Sequence, residues 1–295
     1  MKLARLVFVT GKGGTGKSTV SAALALGLAR GCDVTLADLD QKLSAARLLG
    51  VEVNGGGPVR VSSRLEVMAL DPRTELEAFL ERIVPIKAIS RRMLHSRTFG
   101  HVSAALPGLE AFLMLERLRI MTGESTGHGR HLVVDAPASG NALEMLSVAR
   151  GVKGIAPIGT LNRLASEVES FLGDPARFGV ILTVTPEEMA IREAIETAAH
   201  LKEKLGISSI GAVLNGTVPP LFDAAELATL CAMEDHARLA LRRNAIAQYT
   251  VNAREQLAAG GIRIVELPML FRPGLGKAEL RTLGLRLTEG LARHK

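Results

Sequence analysis

Residues 11–19, Gly-Lys-Gly-Gly-Thr-Gly-Lys-Ser-Thr, have the types and spacing needed to hold a chain of phosphates. Gly11, Gly16, Lys17 and Ser18 satisfy the pattern G-x-x-x-x-G-K-[ST]. Glycines let successive backbone N–H groups turn inward around phosphate oxygens. A helix starting near Lys17 adds the positive end of its dipole. On this reading Gly13, Gly14, Thr15, Gly16, Lys17, Ser18 and Thr19 cradle the phosphates of a nucleotide. The Lys17 ammonium reaches the β- and γ-phosphates, and the Ser18 hydroxyl ligates Mg²⁺. Lys12 adds a second lysine at the start of the loop, the deviant Walker A arrangement; a solvated loop lysine is the plainer alternative.

Two more segments carry carboxylates where a phosphate loop would use them. Residues 36–41 read Leu-Ala-Asp-Leu-Asp-Gln. Asp40 is the candidate for orienting the attacking water, with Asp38 nearby, because phosphoryl transfer is mostly positioning and charge stabilisation. Either aspartate can instead cap the next helix. Residues 131–135, His-Leu-Val-Val-Asp, form an apolar strand ending in an acid, followed by Ala-Pro-Ala-Ser-Gly-Asn. Asp135 is the candidate for holding the water shell of Mg²⁺, and the Gly140 backbone N–H is a candidate for the γ-phosphate.

Positioning these groups requires a strand before the loop and a helix after it. Residues 6–9 are an apolar run and residues 20–29 are rich in Ala and Leu. Further strands are expected at 33–37, 65–69, 132–135, 179–185, 210–214 and 263–266, the first strand starting at residue 3. Several are apolar without alternation, as in a parallel sheet covered on both faces. Helical stretches alternate with them, notably 187–205 and 224–256. This predicts an α/β fold: a doubly wound, mostly parallel sheet of about seven or eight strands. Residues 75–129 break the alternation. Leu76, Phe79, Leu80 and Ile83 have helical spacing, as do Leu109, Phe112, Leu113, Leu115 and Leu118, with Pro85 and Pro107-Gly108 as punctuation. The segment reads as a helical insertion in one ATPase domain spanning 1–295.

Composition narrows the classes. The 295 residues are 47% apolar, and no apolar run approaches the ~20 residues of a membrane span. The N-terminus enters a strand without a cleavable signal pattern. Cys32 and Cys231 form no C-x-x-C, which fits a reducing cytosol and argues against a structural zinc or an iron–sulfur cluster within one chain. A cytoplasmic protein is expected. The net charge of +6 permits anionic partners, but aromatics are only 3%, so nucleic acid is not expected as a partner.

Taken together, G-K-G-G-T-G-K-S-T, D-A-P-A-S-G-N-A-L at 135–143 and V-T-P-E-E-M-A-I-R-E-A at 184–194 resemble the P-loop ATPase family of the arsenite-pump ATPase (ArsA) and the tail-anchored-protein targeting factor. A-L-D-P, P-G-L-E-A, G-A-V-L-N and V-E-L-P agree in order along almost the whole chain. The resemblance implies the SIMIBI type of P-loop fold and a nucleotide-gated dimer, a homodimer or a heterodimer with a paralogue. It implies that Lys12 reaches across the interface to the partner's nucleotide, that Asp40 is the catalytic aspartate of switch I, that Asn215 reads the adenine, and that Pro268 lies where a loop closes over it. A strand-end turn residue is the plainer reading of Asn215.

The chain also departs from the family pattern. Gln41-Lys42-Leu43 replace the usual Pro-Ala-His after the switch I aspartate, and Asn141 replaces a histidine in switch II. Slow hydrolysis or altered gating is the expected consequence. The zinc C-x-x-C, the second P-loop and the metalloid-binding cysteines of family members are absent from the sequence.

Two purposes fit. One is a switch whose insertion holds a hydrophobic protein client through Phe99, Leu106, Leu109, Phe112, Leu113, Met114 and Met121, residues that can equally pack on the sheet. The other is a ParA/MinD-type positioning ATPase using a DNA or membrane surface. There Leu280, Leu283, Leu287 and Leu291 would form an interfacial helix, unless that helix packs on its own sheet. A nitrogenase-reductase-like reading needs two cysteines near a dimer axis, and the placement of Cys32 and Cys231 counts against it.

Overall fold

The computed structural model describes residues 3–39, 42–54, 57–83, 108–123, 130–155, 158–271 and 274–292. Its centre is an eight-stranded sheet in the order β3-β4-β2-β5-β1-β6-β7-β8. The strands are β1 (Leu6–Thr10), β2 (Val34–Asp38), β3 (Val59–Ser62), β4 (Leu65–Ala69), β5 (His131–Asp135), β6 (Phe178–Val184), β7 (Ile210–Thr217) and β8 (Arg263–Pro268). All pairings are parallel except β3 with β4. The helices are α1 (Lys17–Leu28), α2 (Ser44–Leu48), α3 (Pro72–Ile83), α4 (Leu109–Met121), α5 (Ser139–Ile155), α6 (Thr160–Gly173), α7 (Glu188–Leu205), α8 (Ala224–Cys231), α9 (Glu234–Ala259) and α10 (Lys277–Ala292).

Side chains alternate across each strand, so one strand feeds two cores. Leu6 and Phe8 of β1 join a core built with α4, α5, α6 and α7. Val7 and Val9 join a second core with α1, α2 and α10. Burial on both faces explains why the central strands read as continuous apolar runs. The seven expected strands are present at shifted ends, and β3 is the addition. It is a four-residue antiparallel edge strand with alternating intermediate and exposed positions, too short and too polar to stand out.

Two helical expectations are corrected. The single helix expected over 224–256 is two, separated at Ala232 and Met233. Asp223 caps the first through a reciprocal pair with Glu226. The Leu280, Leu283, Leu287 and Leu291 face is not free for a membrane surface: all four are buried in the second core. There Gly27 of α1 and Gly284 of α10 let the two backbones meet; a Cβ on either would strike the other helix's carbonyls. Among the described residues, no helix is long and apolar enough to cross a membrane.

The stripe between β4 and β5 is likewise core. Leu109, Phe112, Leu113 and Met114 are buried and Met121 is partly buried, all packed in the first core. Leu113 also borders a small pocket of about 70 Å³ with Phe79 and Ile120. Phe99 and Leu106 lie outside the described residues.

Candidate functional site

The site forms at the C-terminal ends of β1, β2 and β5, neighbours in the sheet. In a parallel α/β sheet this edge is where loops converge on a ligand. Register places Val9 beside Asp135 and Asp135 beside Asp38. The loop from β1 turns at Gly11, where a Cβ would collide with the Thr183 carbonyl of β6. The loop then closes on itself: the Lys12 carbonyl accepts from the Thr15 hydroxyl at 2.8 Å and from Lys17 Nζ at 3.4 Å. Gly16, in the left-handed region at φ 91°, opens α1. Asn215 of β7 donates Nδ2 to the Thr15 carbonyl at 2.9 Å, so the loop is held from the far side of the sheet. Gly13 and Gly14 are exposed, whereas Thr15 is buried.

The two strand-end aspartates have different jobs. Asp38, buried, accepts from the backbone N–H groups of Ala45 and Ala46 at 3.1 and 3.2 Å. It therefore caps α2, the alternative the sequence had left open. Asp135, also buried, accepts at Oδ1 from Ser21 at 2.9 Å. Its Oδ2 has no partner at hydrogen-bond geometry. Burial raises the Asp135 carboxyl to about 6 and the Asp38 carboxylate adds to this; Ser18, Ser21 and Lys17 pull it down. The three groups expected to meet at a Mg²⁺–phosphate site thus do converge. A buried, unpartnered carboxylate oxygen beside the Ser18 hydroxyl and the Lys17 ammonium fits a hydrated Mg²⁺. Among the described residues there is no cluster of three or more His, Cys, Asp or Glu.

Asp40 lies outside the described residues. The chain leading to it is held, since the Leu39 N–H donates to the Asp135 carbonyl at 3.0 Å. After Asp135, the Thr10 hydroxyl donates to the Pro137 carbonyl at 2.8 Å and the Ser139 N–H to the Gly11 carbonyl at 3.2 Å. The Ser139 hydroxyl donates to Glu193 of α7. The 137–139 segment is therefore tied both to the phosphate loop and to α7. Gly140 is exposed with open space around its Cα.

Beside the loop lies a cleft of about 530 Å³ that reaches from Gly14 and Thr19 to Asn215 and Pro268, with Thr185, Glu187 and Tyr249 among its walls. The two residues assigned to the base by resemblance therefore share one cavity with the phosphate loop. A bulge makes this possible: pairing shifts between Asn215 and Thr217, where Gly216 takes φ 77°, and Thr217 pairs with Pro268. Tyr249 carried no signal of its own in the sequence, whereas Thr185 and Glu187 belong to the 184–194 run; the three share a cavity because α9 meets the connection between β6 and α7.

Comparison with known proteins follows the same lines. Residues 4–156 match the family model described as anion-transporting ATPase. The ATPase BagA of Mycobacterium tuberculosis is 26% identical over 236 residues, covering 76% of this chain and 68% of that protein. The arsenical pump-driving ATPase of Escherichia coli is 28% identical over 224 residues, 72% of this chain but 35% of that protein. That of Acidiphilium multivorum is 25% identical over 234 residues, 72% of this chain and 39% of that protein.

Proposed function

From the premise that this chain belongs to the anion-transporting ATPase family and is an ATPase, we propose that it is a Mg²⁺-dependent, nucleotide-gated dimeric switch. One ATPase domain carries 75–129 as an insertion, and ATP turnover is coupled to handling of a protein client in the cytoplasm. The observation that carries the ATP site is the buried Asp135 carboxyl, with a free Oδ2, beside Lys17 and Ser18 at the mouth of the phosphate loop.

The chain's own groups divide the work. Backbone N–H groups of 13–19 bind the phosphates, aided by the α1 dipole. Lys17, now resting on the Lys12 carbonyl, exchanges that neutral acceptor for phosphate oxygens. Ser18 and Asp135 would hold Mg²⁺, which when bound neutralises charge on the phosphates. Asp40 orients the attacking water. Asn215 reads the base: with Nδ2 already donated to Thr15, its Oδ1 remains to accept from an exocyclic amino group, as adenine offers. Pro268 borders the same subsite. Lys12 reaches the nucleotide of the partner subunit, either a second copy or a paralogue.

The arsenical-pump role of some relatives is not carried over. Cys32, in the turn between α1 and β2, and Cys231, at the end of α8, are both free thiols. The positioning-ATPase reading loses its membrane helix to the second core.

The test is calorimetry and turnover with Mg²⁺-ATP on three proteins. Lys17→Ala should abolish tight binding. Asp40→Asn should bind and turn over slowly. Wild-type turnover by Asp40→Asn would remove Asp40 from the mechanism, and full affinity in Lys17→Ala would sink the proposed ATP site.

A further inference from the structure

The cleft beside the phosphate loop has an apolar rim that the phosphates do not need. Of the large apolar side chains left exposed among the described residues, Ile246, Tyr249, Met269 and Leu275 all line this one cavity. Tyr249 is 59% exposed, a large aromatic surface left to water. Its position is set by its neighbour. Thr250 is buried and its hydroxyl accepts from the Val218 N–H at 3.1 Å, which clamps α9 to the end of β7 just after Asn215. Ala247 and Ala253 pack fully on the same helix. The ring therefore stands over a cavity whose other walls include Pro268 and Met269.

Geometry restricts what can occupy that space. A nucleotide with phosphates on 13–19 must send its nucleoside past Thr19, and Thr19 lines this cleft. The group arriving opposite Tyr249 is then the base, a flat π-system with apolar faces and a polar edge. Apolar faces suit Tyr249 and Met269, and the polar edge suits Asn215.

We propose that Tyr249 is the stacking wall of the base subsite, a binding residue that separates recognition of the base from recognition of the phosphates. This rests on the ATP site proposed above. It also makes the chain its own reporter, because the sequence has one Tyr and no Trp.

The experiment uses the full chain. Tyrosine emission is followed during titration with Mg²⁺-ATP and, separately, with Mg²⁺-tripolyphosphate, which has no base. A free tyrosine derivative corrects for absorption by adenine. Calorimetry on the same samples gives affinities. ATP should quench the emission to saturation and tripolyphosphate should bind without doing so. Tyr249→Ala should weaken ATP about ten-fold, in the range of aromatic–base stacking. It should leave tripolyphosphate affinity unchanged, a split that general unfolding would not produce, and Tyr249→Phe should keep ATP affinity. Equal quenching by tripolyphosphate, or undiminished ATP affinity in Tyr249→Ala, overturns the stacking role while leaving the ATP site standing. Absence of ATP binding in the calorimeter overturns both.

Discussion

At the scale of single residues, burial produces opposite effects at the two ends of β5. Asp135, at the loop end, is raised toward neutrality, yet the Lys17 ammonium and the Ser18 and Ser21 hydroxyls limit the rise to about 6. The carboxylate form therefore predominates at pH ~7 and can serve a cation. His131, at the other end, is lowered from 6.5 by burial and by Arg5, against a backbone bond to Ala4. Its Nδ1 is buried with no partner. The unfolded chain then binds more protons than the folded one just below pH 6.5, so this contribution to stability is full above that value. It is lost as pH falls through the depressed folded value. Urea unfolding between neutral pH and pH ~5 should show a steeper loss for wild type than for His131→Gln. Parallel curves would mean that His131 does not titrate differently in the two states.

At the scale of elements, short contacts fix how α1 and α2 present the loop. Asp38 holds the first turn of α2 through two backbone N–H groups in a buried setting. Asp38→Ala should cost about 2 kcal/mol in denaturant unfolding, the sum of a lost cap and unsatisfied donors. The crossing of α1 and α10 tolerates no side chain at Gly284, where a Cβ would meet the Ala23 carbonyl. Gly284→Val should cost about 3 kcal/mol by overpacking. It should also weaken ATP, because α1 carries Lys17 and Ser18 in its first turn. Gly151, on α5 with nothing within 4 Å of an added Cβ, is the control. Gly151→Ala should gain about 0.5 kcal/mol from helix propensity. An unstable Gly151→Ala would show that glycine substitution in these helices is costly for reasons other than contact.

At the scale of the whole molecule, a switch needs a part that changes between nucleotide states. The described half of the insertion is a poor candidate. Phe112, Leu115 and Leu118 of α4 are fully buried in the first core. Amides of α4 should exchange slowly, with no change on adding ATP. Fast exchange there that ATP suppresses would return the client surface to α4. The ties from Thr10, Gly11 and Glu193 to the 137–139 segment offer a different route, from the phosphate loop through that segment to α7. For the assembly, sedimentation should show compaction or dimer gain with a non-hydrolysable ATP analogue, lost in Lys12→Ala. A monomer under every nucleotide condition would end the dimer model.

The sequence by itself determined the phosphate loop, the parallel α/β sheet and the strand-end acids. Each is a local pattern: a glycine spacing, an apolar run of strand length, an acid after that run. It left Asp38 and Asp40 each open to a helix cap or a place beside the phosphates, because both uses take the same residue type at a strand end. For Asp38 the fold decided, by placing the α2 amides on its carboxylate. Periodicity could not tell a client groove from core, or a membrane face from a packed helix; an apolar stripe records that something covers it and not what. Packing supplied the answer for α4 and α10. The cleft proposed for the base was least legible of all, since Thr19, Asn215, Tyr249 and Pro268 come from four elements. Their meeting depends on a bulge in β7 and a threonine clamp on α9, long-range geometry that no local pattern encodes.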